Sequence, residues 1–144
     1  ASDVYKRQGY VLDHIKAGKA MTIYHDLKLD KLDCTVAIIK NARSNKMGKK
    51  DIIKVECPVE NLDLDILGFI DHNITVNVIK DEKIVAKKEL KLPNQVVNVI
   101  KCKNPRCITS IEQGLDQIFV LADKEKEVYR CKYCEEKYTG KRNK

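Results

Sequence analysis

The stretch KKDIIKVECPVENLDLDILGFIDHNITVNVIK, residues 49–80, reads as strand, helix, strand. KKDIIKVEC (49–57) is rich in β-branched residues and stops at Pro58. In VENLDLDILGFI (59–70), Leu62, Ile66, Leu67 and Ile70 recur at helical spacing. Acidic residues gather towards the start of that segment, where the helix dipole favours them. ITVNVIK (74–80) returns to a strand pattern, and KIVAKKEL (83–90) follows across the turn Asp81-Glu82, which predicts a hairpin.

Upstream, YVLDHI (10–15) is strand-like, and Gly18 opens a helix to about Leu29 with Ala20, Ile23, Tyr24 and Leu27 on its apolar side. CTVAIIK (34–40) predicts another strand, and NARSNKMG (41–48) a polar loop. Helices interleaved with β pairs predict an α+β domain, a ferredoxin-like antiparallel sheet layered on two helices over residues 9–93. Pro93-Asn94 marks a boundary. Beyond it, residues 94–144 carry only short strand-like runs, VVNVIKC, QIFVLA and EVYRC, and the tail GKRNK is expected to fray. So small an all-β domain buries little core and needs a staple. In the first eight residues, ASDVYKRQ, the run DVYKRQ matches the translation of a sequencing-library adapter, and residues 1–8 are expected to be an artefact outside the fold.

CKNPRC (102–107) and CKYC (131–134) supply that staple. Two close pairs of thiolates on turns can fill the four corners of a zinc tetrahedron, which points to Cys102, Cys107, Cys131 and Cys134 as ligands. Lys101, Lys103, Arg106, Arg130 and Lys132 lie beside them and offset the charge of a four-thiolate centre. With every corner taken by Cys and no His nearby, no position is open for water, so a structural zinc is expected rather than a catalytic one. Cys34 and Cys57 sit alone in strand-like runs, a usage that fits a reducing cytoplasm better than a secreted disulfide scaffold.

The 144-residue chain has a net charge of +7 and 43% hydrophobic residues, with no apolar run of membrane-spanning length and no signal peptide. There is no P-loop, dinucleotide-binding glycine pattern, HExxH or GxSxG. Asp13 and His14 are neighbours on a strand and so point to opposite faces, while His25 and His72 lack evident partners and are expected at the surface. No catalysis is expected of the chain itself. On strand 49–57, Lys50, Ile52 and Lys54 share a face; on the hairpin, alternation puts Lys87 with Lys83 and Val85, and Asn77 with Ile79. Lysines beside apolar residues and an amide suit a nucleotide, although lysines on a solvated sheet face are also ordinary.

Taken together, VLDHI, KLDCTVAIIKNARSNKMGKKDIIKVE, TVNVI, LPNQVVNVIKCKNPRC and RCKYCEEKY resemble the regulatory chains of aspartate carbamoyltransferase, from about Gly9 to about Tyr138. The resemblance implies a non-catalytic, cytoplasmic subunit of de novo pyrimidine biosynthesis that pairs with itself through an effector domain and docks on the catalytic chain through a zinc domain. CTP and ATP would compete for the effector pocket, with UTP acting beside CTP in some members. Carried over by motif, that pocket comprises Asp13, His14, Lys50, Ile52, Lys54, Asn77, Ile79, Ile84 and Lys87. Lys54 and Lys87 would hold phosphate oxygens, Lys50 phosphates or a second nucleotide, and backbone near Ile79 and Glu82 would read the base. Asn104, Lys132 and Glu135, with Glu136 less firmly implied, would meet the catalytic chain. Residues just upstream of Gly9 and the acidic Glu82 and Glu89 depart from the family pattern. The rival reading is a zinc-ribbon nucleic-acid-binding protein, yet residues 95–144 hold eleven Lys/Arg against seven Asp/Glu, a mixed surface rather than a basic stripe. Neither nucleic acid nor membrane is expected as a partner.

Overall fold

A computed structural model describes residues 8–58, 60 and 62–138. The adapter-like segment therefore lies outside the described residues except for Gln8, which opens the first strand. Five strands form one antiparallel sheet: β1 (Gln8–Lys16), β2 (Val36–Ser44), β3 (Gly48–Val55), β4 (Thr75–Lys80) and β5 (Lys83–Glu89), in the order β2-β3-β1-β4-β5. With α1 (Ala20–Asp26) after β1 and α2 (Leu64–Ile70) after β3, the first four strands follow the expected ferredoxin-like order, and β5 extends one edge. Alternate residues of β1, β3 and β4 (Tyr10, Leu12, Ile53, Val55, Val76) are buried with Ala20 and Ile23 of α1 and Leu67 and Ile70 of α2. The opposite face of the sheet is left for ligands or solvent.

Bulges adjust this pattern where strict alternation fails. Leu12 and Ile15 are three apart yet both buried, because Asp13 and His14 together oppose Ile52; His14 takes the left-handed φ of 61°. β2 runs on to Ser44 through what the polar sequence predicts to be a loop. It does so over a second bulge at Lys40-Asn41, whose left-handed Asn41 gives its N–H to Asp51. The turn itself needs only residues 45–47.

A third bulge changes the expected face of Lys87. Asn77 faces Lys87 and Val78 faces Ala86, but Ile79 faces Ile84, which leaves Val85 as the extra residue. Lys87 consequently shares its face with Ile84, not with Lys83.

The expectation that Cys34 and Cys57 stand apart is also corrected. They continue the β2–β3 register beyond Val36–Val55 and are joined by a disulfide, with Cα atoms 6.0 Å apart. Neither cysteine belongs to a recognisable spacing motif, so only the strand register could have paired them.

The second sheet orders β6 (Gln95–Val97), β7 (Ile118–Asp123) and β8 (Val128–Cys131). A single helical turn, α3 (Ile108–Ile111), follows Cys107; the sequence reading missed it. Val96, Phe119, Tyr129, Cys107 and Cys131 make a small second core, and Phe69 of α2 is buried in it. Phe69 meets the Tyr129 ring edge-on at 4.8 Å. Two further contacts join the halves. The Tyr129 hydroxyl donates to the Pro93 carbonyl (2.6 Å), and His72, expected to lack a partner, places Nε2 3.1 Å from Glu127. Gly68 lies against the backbone of Lys91 so closely that a Cβ there would collide with the Lys91 carbonyl oxygen. Among the described residues, no helix is long and apolar enough to cross a membrane.

Candidate metal centre and ligand face

Register brings the lysine face together strand by strand. Lys54, Val11, Asn77 and Lys87 are successive partners across β3, β1, β4 and β5, and Gly9, Ile79 and Ile84 form the next row. Three strand spacings separate Lys54 from Lys87, roughly 14 Å, a span that two four-carbon ammonium stems can narrow. Lys54 and Lys87 are exposed, Asn77, Ile79 and Ile52 are half-buried, and Ile84 is 65% exposed. At Gly9, glycine is the only residue type that fits in this row without a shift, since a Cβ there would collide with the Val55 carbonyl oxygen.

Asp13 and Lys50 lie at the bulged end of this face. Lys50 Nζ sits 2.9 Å from Asp13 Oδ1, with both side chains mostly covered. The His14 N–H also donates to Asp13 Oδ1 (2.6 Å), and His14 Nδ1 is 3.1 Å from the Thr75 hydroxyl. Burial raises the Asp13 pKa, but the Lys50 hydrogen bond, the His14 N–H and both positive charges outweigh it and hold the carboxyl below its ordinary value. All nine carried-over residues thus fall on β1, β3 and the β4–β5 hairpin, and those on strands paired in register share the face away from the helices.

What holds this face in place was not legible in advance. Asp51, fully buried between Lys50 and Ile52, accepts N–H groups from Gly18 (2.9 Å), Ala20 (3.2 Å) and Asn41 (2.9 Å). One carboxylate therefore pins the start of α1 and the β2 bulge to β3. A lone Asp in an apolar run was its sequence signal, because such a residue must find buried donors.

The four expected cysteines converge at the far end of the second core. Cys102 precedes the first knuckle, Cys107 caps α3, Cys131 ends β8 and Cys134 closes the turn after it. Their sulfurs all lie within 4.8 Å of one another, with Cys102–Cys134 at 3.6 Å and Cys107–Cys131 at 3.7 Å. A tetrahedron with 2.3 Å metal–sulfur arms has edges of about 3.8 Å, so the donor set fits a four-thiolate zinc.

Each knuckle is braced from its backbone. The Cys107 N–H donates to the Asn104 carbonyl (3.0 Å), the Glu135 N–H to the Cys131 carbonyl (2.8 Å), and Thr109 Oγ1 to Cys107 Sγ (3.1 Å). Glu135 makes its turn with a left-handed φ of 64°. Burial and the adjacent thiols push Cys102 up to about 12, and burial likewise raises Cys131. Cys107 is brought down to about 7, since Thr109 and the neighbouring sulfurs overcome its burial. Thiols this close cannot all ionise unaided, and a divalent cation supplies the missing charge.

Of the expected docking residues, Lys132 and Glu135 present exposed side chains. Asn104 differs: its Oδ1 accepts the Arg106 N–H (3.0 Å), so its side chain shapes the knuckle. Phe119 and Tyr129 are core residues, but Tyr133 is 41% exposed, and Ile108 and Ile111 of α3 are 39% and 68% exposed. The patterning did not single out these apolar residues. Each lies next to one of the four converging cysteines or one turn beyond it.

Comparison with known proteins identifies the family of this chain. Residues 5–91 match the family model described as aspartate carbamoyltransferase regulatory chain, allosteric domain, and residues 94–144 match its metal binding domain. The chain is 54% identical over 134 residues to the aspartate carbamoyltransferase regulatory chain of Clostridium acetobutylicum, covering 93% of this chain and 91% of that one. It is 51% identical over 132 residues to that of Clostridium tetani, covering 92% of each. Against the Bifidobacterium longum protein of the same name the identity is 44% over 130 residues, covering 90% of this chain and 93% of that one.

Proposed function

The chain belongs to the family of aspartate carbamoyltransferase regulatory chains, and on that premise we propose that it is the non-catalytic, cytoplasmic subunit that senses nucleotides for the catalytic chains. CTP and ATP, with UTP as a further candidate, occupy the sheet face of residues 9–93. Lys54 and Lys87 hold phosphate oxygens, Lys50 exchanges Asp13 for phosphate or a second nucleotide, and Ile52, Ile79, Ile84, Asn77 and His14 line the remainder. The observation that supports this most is the single row Lys54, Val11, Asn77, Lys87 across four strands. It gathers cations at both ends of an apolar and amide floor, as a polyanion with an aromatic base requires.

Residues 94–144 hold one structural zinc through Cys102, Cys107, Cys131 and Cys134. When bound, zinc supplies the charge and the cross-links that fold the domain, and the exposed Lys132, Glu135, Tyr133, Ile108 and Ile111 dock on the catalytic chain, with Asn104 shaping the contact surface. Two copies pair through their effector domains, so regulatory dimers bridge catalytic trimers. The buried Phe69 gives the nucleotide domain a mechanical hold on the docking domain.

Sedimentation of the zinc-loaded chain with its cognate catalytic trimer tests the reading. A large complex whose activity responds to CTP or ATP is expected. Failure to form a large complex in the presence of zinc would overturn the regulatory reading, and tight salt-sensitive binding to DNA or RNA instead would favour the nucleic-acid reading.

A further inference from the structure

Cys34 and Cys57 lie outside both sites described above. They stand opposite each other two residues past the Val36–Val55 pair, with the Glu56 N–H donating to the Thr35 carbonyl (2.9 Å) between them. Their Cα separation of 6.0 Å lies in the ordinary disulfide range. Access to the two sulfurs is unequal, since Cys57 is 3% exposed and packed in the main core, whereas Cys34 is half-buried beside it. The pair therefore has an outer thiol that a small reagent can reach and an inner one shielded from it.

We propose that Cys34 and Cys57 are a reversible thiol-modification site, a dithiol–disulfide clamp on the open end of the β2–β3 hairpin that exchanges with low-molecular-weight disulfides. The Cys34 thiolate attacks one sulfur of the small disulfide, whose S–S bond breaks, and the departing thiolate takes up a proton. The Cys57 thiolate then attacks Cys34 Sγ and expels the second small thiol. Two protein thiols are oxidised, and one small disulfide is reduced to two thiols.

The clamp matters because, among the described residues, β2 is the outer strand of the sheet and pairs only with β3, the strand that carries Lys50, Asp51 and Lys54. Closed, it ties both strands at the end opposite their turn; open, that end is held by the Glu56–Thr35 hydrogen bond and side-chain packing. The pair spans 23 residues, a loop long enough for closure to restrict the opened hairpin appreciably. The proposal does not depend on which ligand the sheet face binds.

The test uses the full zinc-loaded chain equilibrated in buffers of varied reduced to oxidised glutathione, quenched with N-ethylmaleimide and mapped by peptide mass spectrometry, with zinc content followed in parallel. A Cys34–Cys57 linked peptide is expected to appear as the buffer becomes oxidising, with zinc retained, and to disappear on reduction. In the oxidised form, amide exchange over residues 35–38 is expected to slow by about tenfold or more. The Cys57→Ser variant should trap glutathione on Cys34. Should that variant fail to fold, wild type under limiting oxidant should show the same mixed disulfide in passing. Full maleimide labelling of both residues in the most oxidising buffer with zinc still bound would overturn the proposal. So would cross-linking of either residue to a zinc-site cysteine, or a linked form whose exchange over 35–38 is unchanged.

Discussion

Asp51 shows how much one residue can organise when its environment leaves it a single solution. A fully buried carboxylate must be compensated, and here two oxygens collect three backbone N–H groups, two of them from residues with left-handed φ, Gly18 and Asn41. Asp51→Ala strands those donors, and with about 1–3 kcal/mol for each buried group left unsatisfied, the variant is expected to lose at least about 3 kcal/mol in urea unfolding. Tyr10 is the opposite case. Its hydroxyl is buried with no hydrogen-bond partner among the described residues. Tyr10→Phe removes a group whose unsatisfied burial costs about 1–3 kcal/mol, so the urea midpoint is expected to stay or rise. Asp13 carries a pH signature. Its carboxyl is held below the ordinary value once folded, so it stabilises the fold above the unfolded-state pKa and loses that contribution as pH falls through the folded one. Asp13→Asn should therefore lose stability relative to wild type at neutral pH, and the difference should shrink in acid as wild-type Asp13 protonates; a difference independent of pH would contradict the assigned Lys50 pairing.

Among the elements, α2 does the most with the least length. Asp63 caps it by accepting the Asp65 and Ile66 N–H groups (3.0 and 3.1 Å), Leu67 and Ile70 face the main core, and Phe69 enters the second one. Truncating a buried Phe costs about 3–5 kcal/mol, so Phe69→Ala is expected to destabilise the metal-binding domain by that order and lower its melting temperature, while the proposed nucleotide binding to the sheet face persists. Calorimetry of the zinc-loaded chain, with nucleotide titrations on the same sample, separates the two effects. The existence of α2 was plain from Leu62, Ile66, Leu67 and Ile70, and the hairpin from Asp81-Glu82, because period and turn chemistry are local properties. Phe69 was not assigned to a second core, since no period tells a residue which of two cores it enters. The bulges at His14, Asn41 and Val85 were equally hidden. Each moves a side chain to the other face through its register against a partner strand, which alternation along one strand does not reveal, and this is why alternation sets Lys87 beside Lys83 whereas the sheet sets it beside Ile84. The convergence of Cys102, Cys107, Cys131 and Cys134 was legible because their spacing is that of metal-binding thiolate pairs, whereas the Cys34–Cys57 pairing depends on a register that only tertiary structure fixes.

For the molecule as a whole, the division of stability between two cores decides what metal loss does. The larger core closes over the five-stranded sheet and contains none of the four ligand cysteines; the smaller one counts Cys107 and Cys131 among its few buried members. A three-stranded sheet of that size cannot offset its chain entropy by burial alone, so its folding free energy and its metal-binding free energy are one quantity. Chelation should therefore unfold residues 94–138 and leave strands β1 to β5 folded, but not untouched, because the Phe69–Tyr129 contact and the His72–Glu127 pair are lost together. Hydrogen exchange before and after chelator treatment is the direct measurement. Protection in β6, β7 and β8 should vanish, protection in β1 and β3 should persist, and α2 should lose part of its own. Since thiolates must be deprotonated to bind metal, the same transition should occur without chelator as pH falls, with zinc released in step with β8 exchange. If the whole chain unfolds as one unit on metal loss, the two cores are energetically fused; if α2 is unaffected, Phe69 transmits nothing between them.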